Sequence, residues 1–412
     1  MNHIARHLLL TVSLCFSLLA SSQVKNKDGK ILAATPPMGW MTWNYFADNI
    51  NEQVIKEMAD AMVNSGMLAA GYEYVFIDDG WQGGRDNRNN MIADPLKFPS
   101  GIKALADYVH GKGLKLGLYS DAAPLTCAGY TASLHFENQD AKTFAQWEID
   151  YLKYDYCNAP ADSATAKKRY KAMADALLKS GREIAFGICE WGERRPWHWA
   201  AQAGGQLWRT THDVRDKWAR KSTEKWGEGI MDILDVNAEQ HQYAGPGHWN
   251  DADMLVVGLY GKKGPSGDGG GTGCRDVEYQ SQMSLWCMMA SPLAATNDLR
   301  NMNAATKNIL LNVDAIAINQ DPLGKQAERL VHNDSLDVLV KALANGDVAV
   351  ALLNRTAVTQ DVRIVFQSLG LRGTYSVDDL WLTEKKLNKG QHWKGAIQSH
   401  ETKLLRLRKE KS

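Results

Sequence analysis

Eight times between residues 36 and 298 a short β-prone run appears before the patterning changes, and seven of the eight are closed or followed by polar residues. The runs are PPMGWMTW (36–43), YEYVFIDD (72–79), LKLGLYS (114–120), IDYLKYD (149–155), EIAFGIC (183–189), LWRTTHD (207–213), HWNDADM (248–254) and PLAATND (292–298). Helical periodicity lies between them, at 51–67, 101–113, 163–181 and 281–290. Strands that alternate with helices imply a parallel sheet, because a parallel connection needs a crossover. Eight such units predict an α/β fold of the (β/α)8 TIM-barrel type.

Near residue 326 the texture changes. DVLVKALANGDVAVALLNRT carries two alternating apolar runs around ANGD, a hairpin signal. DVRIVF, TYSVDDLWL and ETKLLRLRK continue as short strands without long helices. The expected organisation is a catalytic barrel over 23–325 and a C-terminal antiparallel β-sandwich domain over 326–412.

The first residues, MNHIARHLLLTVSLCFSLLASSQ, read as a secretory signal peptide, 1–22, with cleavage after Ser22. The apolar stretch from Leu8 to Ala20 is shorter than the roughly 20 residues that a membrane span needs. The mature chain is expected to be exported, secreted or periplasmic, with no membrane span. Loss of Cys15 leaves Cys127, Cys157, Cys189, Cys274 and Cys287, an odd set, so at least one thiol stays free. No CxxC spacing is present, and no structural zinc is expected. Lys plus Arg and Asp plus Glu both number 47, which gives no electrostatic case for binding nucleic acid. The glycine-rich stretch GKKGPSGDGGGTGC (261–274) lacks a following GKS or GKT and is expected to be a surface loop.

In a (β/α)8 barrel, catalytic groups sit at the C-terminal strand ends. Here those ends are polar on strand after strand. They carry Asp78 and Asp79; Tyr119 and Asp121; Lys153 and Asp155; Cys189, Glu190 and Trp191; Arg209, Thr211 and Asp213; Asp251 and Asp253; Asn297 and Asp298. Any one of these acids could cap a helix or close an ion pair. Together at one rim they suit a neutral polyhydroxylated ligand. Carboxylates accept from hydroxyls, Lys and Arg donate, and indole faces cover ring carbons. Glycoside hydrolysis needs two carboxyl groups flanking the scissile bond. Lys153 shares a strand face with Asp155 and favours its ionised form, which makes Asp155 the better nucleophile and Asp213 the proton donor.

At these residues the chain resembles the α-galactosidases (melibiases) of glycoside hydrolase family 27. The resemblance runs from TPPMGWMTWN (35–44) to AINQDPLGKQ (317–326), through IDDGW, GLYSDAAPLTCAGY, YLKYDYCN, CEWG, WRTTHD and GHWNDADMLVVG. It implies a retaining hydrolase that releases terminal α-galactose through a covalent intermediate, with Asp155 as nucleophile and Asp213 as acid/base. It implies sugar binding by Trp43, Asp78, Asp79, Tyr119, Lys153, Arg209, Asp253 and Met254. Asp78 and Asp79 would hold the 6- and 4-hydroxyls, and Lys153 the 3- and 4-hydroxyls. The loop with Cys189, Glu190 and Trp191 would face the 2-position, where polar or bulky residues favour a free hydroxyl over an N-acetyl group. A Cys127–Cys157 disulfide is implied, as is the absence of a metal or organic cofactor. Gly205 stands where some members carry a partner for Cys189, so Cys189 should be free; Cys274 and Cys287 stay open. A β-L-arabinopyranosidase or α-N-acetylgalactosaminidase on the same fold is the alternative within enzymes. A galactose-binding protein on a hydrolase scaffold is the alternative outside them.

Overall fold

The eight runs form eight parallel strands, all but one of them shorter than the run that signals it. The computed structural model describes residues 29–225, 227–265, 271–382 and 388–410. The strands are β1 (Met38–Met41), β2 (Tyr74–Phe76), β3 (Lys115–Asp121), β4 (Tyr151–Asp155), β5 (Ala185–Ile188), β6 (Leu207–Arg209), β7 (Trp249–Asp251) and β8 (Leu293–Ala295). Their order is β8-β1-β2-β3-β4-β5-β6-β7, with every neighbouring pair parallel. Just past β7 the barrel closes. Leu255 bridges Ala295, and its N–H donates to the Ala294 carbonyl at 2.8 Å. Closure leaves no exposed sheet edge and gathers all eight C-terminal ends at one mouth.

The helices are α1 (Trp43–Phe46), α2 (Glu52–Asn64), α3 (Gly101–Gly111), α4 (Glu137–Gln146), α5 (Ser163–Lys179), α6 (Ile230–Asn237), α7 (Asp276–Met288), α8 (Ala304–Leu310) and α9 (Val313–Asn319). Those at 51–67, 101–113 and 163–181 were legible as apolar stripes, and that at 281–290 as a helical pattern without a polar face. Caps set their starts: the Asn51 and Asp162 side chains accept from the N–H groups of Val54 and Thr165. Helix α4, ENQDAKTFAQ, is mostly polar and gives almost no stripe. Helices α8 and α9 are seven residues each and are recognisable mainly by their caps, Asn303 and Asn312.

The C-terminal strands are β9 (Glu328–His332), β10 (Leu336–Ala342), β11 (Val348–Asn354), β12 (Gln360–Val365), β13 (Tyr375–Asp379), β14 (Asn388–Gly390), β15 (His392–Ile397) and β16 (Thr402–Lys409). Six form an antiparallel sheet in the order β9-β10-β11-β16-β13-β14, and β12 pairs with β15 in a second. ANGD is the turn of the β10–β11 hairpin. Val338, Val350, Leu352, Val362, Ile397, Leu405 and Leu407 share one core between the two sheets, as alternation predicts for a sandwich. The opposite face of the larger sheet, with Leu339, Ala349, Ala351, Leu353 and Leu404, joins the barrel's own core. Helix α7 is buried on nearly every side because it lies between the two. The signal-peptide reading falls on residues outside those described. Both ends of the glycine-rich loop are tied to Asp216, whose carboxylate accepts from the N–H groups of Gly261 and Cys274; residues 266–270 of that loop lie outside those described.

Candidate active site

The barrel mouth has an aromatic floor. Tyr74 and Phe76 stack at 5.1 Å, and Tyr151 meets Phe76 edge-on at 4.8 Å. Three strands carry glycine where these rings lie. A Cβ at Gly39 would collide with Tyr74 and Phe76, at Gly117 with Phe76 and Tyr151, and at Gly187 with the Tyr151 hydroxyl. Two small cavities of about 20 Å³ each lie against this floor. One is lined by Lys153, Cys189, Arg209, Asp251 and Asp253 together with Met41 and Tyr151. Met254 lines the other.

Above the floor the predicted residues converge. The Lys153 ammonium donates to Asp78 at 2.8 Å and lies over the Tyr119 ring. The Tyr119 hydroxyl donates to Asp155 Oδ2 at 3.1 Å, and the Tyr156 N–H donates to Asp155 Oδ1 at 2.9 Å. Arg209 bridges two acids, Asp213 at 3.1 Å and Asp253 at 3.0 Å, and its Nη1 sits 3.8 Å from the Cys189 sulfur. Asp79 accepts from Ala128 N–H at 2.9 Å, which ties it to the loop after β3. Trp43 stands half-buried at the start of α1, one residue past Thr42, whose hydroxyl accepts from Asp78 N–H. Cys127 and Cys157 form a disulfide between the loops after β3 and β4. Cys189 is free, and so are Cys274 and Cys287, which settles the pairing that the sequence left open.

Burial dominates the electrostatics. Asp155 is pushed up to about 7 by burial, against the pull of Lys153. Asp79 and Asp251 are each pushed up to about 6 by burial. Asp213 shows the opposite balance. Burial opposes its charge, but Arg209 and Lys153 outweigh that and hold it below the usual carboxylate range. Its side chain keeps 40 % of its surface open, against 3 % for Asp253. The sequence reading expected Lys153 to make Asp155 the more acidic of the two. In the structure the order is reversed, because the cation's main contact is with Asp78 and desolvation of Asp155 is the larger effect. Asp121, Asp155 and the sulfurs of Cys127 and Cys157 lie within 4.8 Å of one another, but bonded sulfurs offer no thiolate to an ion.

A sequence profile described as Alpha galactosidase A matches residues 35–321, and one described as Alpha galactosidase C-terminal beta sandwich domain matches residues 333–407. The chain belongs to the α-galactosidase family. The Alpha-galactosidase A of Cellvibrio japonicus is 45 % identical over 392 residues, which covers 95 % of this chain and 93 % of that protein. Among solved structures, alpha-galactosidase I from Mortierella vinacea superposes with a TM-score of 0.84 at 35 % identity, covering 92 % of this chain and 98 % of its own. An alpha-galactosidase from Saccharomyces cerevisiae solved with raffinose gives a TM-score of 0.85 at 29 % identity, with coverage of 92 % and 98 %.

Within this α-galactosidase fold, not every residue singled out from sequence joins the group. Glu190 is fully buried, and its carboxylate accepts from the Arg194 N–H and guanidinium. Strand alternation explains this, since Cys189 faces Arg209 and its neighbour faces away. Trp191 is half-buried and stacks on His212. The Asn297 carbonyl accepts from the Trp40 indole, and Asp298 caps the turn at Leu299–Asn301 and pairs with Arg300, so both serve structure. Asp251 was noted at the rim but not placed among the sugar-binding residues. It lines both small cavities, and its two-residue spacing from Asp253 was the available signal.

Proposed function

We propose that this chain is a retaining exo-α-galactosidase, with Asp155 as nucleophile and Asp213 as general acid/base. The observation that carries the assignment is the pair itself. Two carboxyl groups at one barrel mouth feel each other's charge, one buried against Tyr119 and the other open to solvent beside Arg209. An enclosed carboxylate suits attack on an anomeric carbon, and an open one suits proton exchange with a leaving group and water. In the first step an Asp155 oxygen bonds to C1, the glycosidic bond breaks, and Asp213 delivers its proton to the departing oxygen. In the second, Asp213 takes a proton from water as that oxygen bonds to C1 and the ester to Asp155 breaks. Two inversions give net retention.

Burial favours the protonated form of Asp155, while Arg209 and Lys153 favour the ionised form of Asp213. Galactose hydroxyls engaging Arg209 would loosen its grip on Asp213 and let the proton move there. Buried Arg209 Nε and Thr211 Oγ1 lack hydrogen-bond partners among the described residues, as groups awaiting a polar ligand do. Asp78, Asp79 and Lys153 would read the 6-, 4- and 3-hydroxyls, Met254 and Trp43 would cover the ring, and Cys189 and Trp191 would leave room for a 2-hydroxyl only. Asp78 favours a sugar with a 6-hydroxyl over β-L-arabinopyranose. Export after cleavage at Ser22 belongs to the same proposal, and the Cys127–Cys157 disulfide suits an oxidising compartment.

Azide rescue separates the roles. Asp155→Gly should lose roughly 10³-fold or more in kcat on p-nitrophenyl α-galactoside, and azide should restore turnover as β-galactosyl azide. Asp213→Gly with azide should yield α-galactosyl azide. Reversed anomers would exchange the two assignments. Hydrolysis of α-N-acetylgalactosaminide or β-L-arabinopyranoside in preference would overturn the substrate.

A further inference from the structure

Lys97 is half-buried and lies shortly before Gly101, the first residue of α3. Its ammonium has three donors, and each goes to a different group: the Asp48 carbonyl at 2.8 Å, the Gly80 carbonyl at 2.9 Å and the Tyr130 hydroxyl at 3.3 Å. Those acceptors belong to the segments that follow β1, β2 and β3. Tyr130 in turn donates to Asp48 Oδ2 at 2.8 Å, and the ammonium lies over its ring. Two of the segments are also pressed together. Gly80, at φ 101°, sits where a Cβ would collide with Asp48. This knot surrounds Asp79. The Gly80 N–H donates to Asp79 Oδ1 at 2.9 Å, while the Gly80 carbonyl accepts from Lys97. The Ala128 N–H donates to Asp79 Oδ2 at 2.9 Å, from a turn that Thr126 and Tyr130 close on each other. There the Thr126 N–H donates to the Tyr130 carbonyl at 2.8 Å, and the Tyr130 N–H to the Thr126 hydroxyl at 2.9 Å. Lys97 therefore touches both the residue after Asp79 and the end of the turn that holds its other oxygen.

Resting on the galactosidase reading, we infer that Lys97 is a positioning residue for galactose binding: by knotting three segments together it fixes the direction in which the Asp79 carboxylate meets a sugar hydroxyl. Lysines that only brace the surface here pair with a carboxylate one helical turn away, as Lys103 does with Asp107 and Lys171 with Asp175. Lys97 bonds two backbone carbonyls and a hydroxyl instead, and freezing so flexible a side chain on three neutral acceptors is costly. The return is geometric. Both Asp79 oxygens already accept from N–H groups, so a small rotation of the Gly80 peptide or of the 126–130 turn would redirect the lone pairs left for a sugar. The bonds that Lys97 makes run to Asp48, Gly80 and Tyr130, not to Asp155 or Asp213, so its effect falls on binding rather than on the chemical steps.

The test is steady-state kinetics on p-nitrophenyl α-galactoside, with inhibition by free galactose, for the wild type, Lys97→Met, Tyr130→Phe and the double variant. Lys97→Met should raise KM and the galactose inhibition constant together by about ten-fold, the range of one charged hydrogen bond set out of line, with kcat within about threefold. Tyr130→Phe keeps the ring and removes one acceptor of the knot, so it should raise both constants by about threefold. The double variant should be no worse than Lys97→Met alone, because both changes cut the same knot. Cooperative melts show that each variant folds. Should Lys97→Met not fold, Tyr130→Phe carries the test alone, and unchanged constants there overturn the inference. A fall in kcat with both constants unchanged would overturn it, since Lys97 would then act on the catalytic pair. A lower melting temperature with unchanged kinetics, or losses that multiply in the double variant, would overturn it too. If the wild type neither cleaves the galactoside nor binds galactose, the galactosidase reading fails first; if it does both and Lys97→Met leaves both constants in place, only this inference fails.

Discussion

Asp121 and Asp155 are register partners on adjacent strands, so their side chains emerge side by side at the mouth. Two ionised carboxylates there would repel strongly. Asp121 is fully buried, and its Oδ2 accepts from the Cys157 N–H at 2.9 Å. Burial, and then the charge on Asp155, push it up to about 9, so at neutral pH it is an uncharged acid. Asp121→Asn should therefore keep kcat/KM within about threefold and leave the pH profile in place, because it replaces one neutral group with another of the same shape. For wild type and variant alike, kcat/KM should fall as pH rises through about 7, where the catalytic pair loses its one proton. A downward shift of that limb in Asp121→Asn would mean that Asp121 is charged. Residue identities at this site were legible in the sequence, because polar residues recurred at seven of the eight strand ends. Their partners were not. Nothing in the order of residues says that Lys153 bonds Asp78, 75 positions away, rather than its strand neighbour Asp155.

At the scale of elements, glycine placement shapes the floor under the site. Gly187 on β5 leaves room for the Tyr151 ring. Gly187→Ala should cost about 1–3 kcal/mol from overpacking and should also depress kcat, since Tyr151 shares β4 with Lys153 and Asp155. Gly111, at the end of α3, has nothing within 4 Å of a built Cβ. Gly111→Ala should be neutral or should stabilise by up to about 1 kcal/mol. Thermal melts and kcat of the two variants check the contrast, and equal effects would refute it. The strands and the amphipathic helices were legible because their periodicities differ, 2 against 3.6. Polar α4 and the seven-residue helices α8 and α9 were not, because their stability comes from caps and from packing on the barrel. The floor glycines were also unreadable in advance. A glycine within a strand pattern signals only a close approach, and the approaching ring comes from a different strand.

For the whole molecule, a formal net charge of zero conceals how the charges are arranged. Acids crowd the barrel mouth, where burial raises Asp79 and Asp251 to about 6, Asp155 and Glu190 to about 7 and Asp121 to about 9. In the unfolded chain these groups titrate near 3.8, or 4.5 for Glu190. Between pH 5 and pH 7.5 the native state therefore binds more protons than the unfolded one, and stability falls as pH rises. His248 and, towards pH 7.5, Lys341, which burial lowers to about 8, act in the opposite direction, but they are two groups against five. At lower pH the balance turns. Asp213, Asp235 and Glu278 sit below their ordinary values, despite burial, because of arginine or backbone partners, and their contribution is lost on protonation below about pH 4. The melting temperature should thus peak near pH 5 and drop by a few degrees at pH 7.5. A saturating concentration of galactose should flatten this dependence, because sugar hydroxyls would donate to the ionised carboxylates and lower their values. Calorimetry from pH 4 to pH 8, with and without galactose, decides the matter. A melting temperature that rises steadily to pH 7.5 would mean that the mouth carboxyls are ionised and already compensated, and that the site is organised by its cations rather than by its protons.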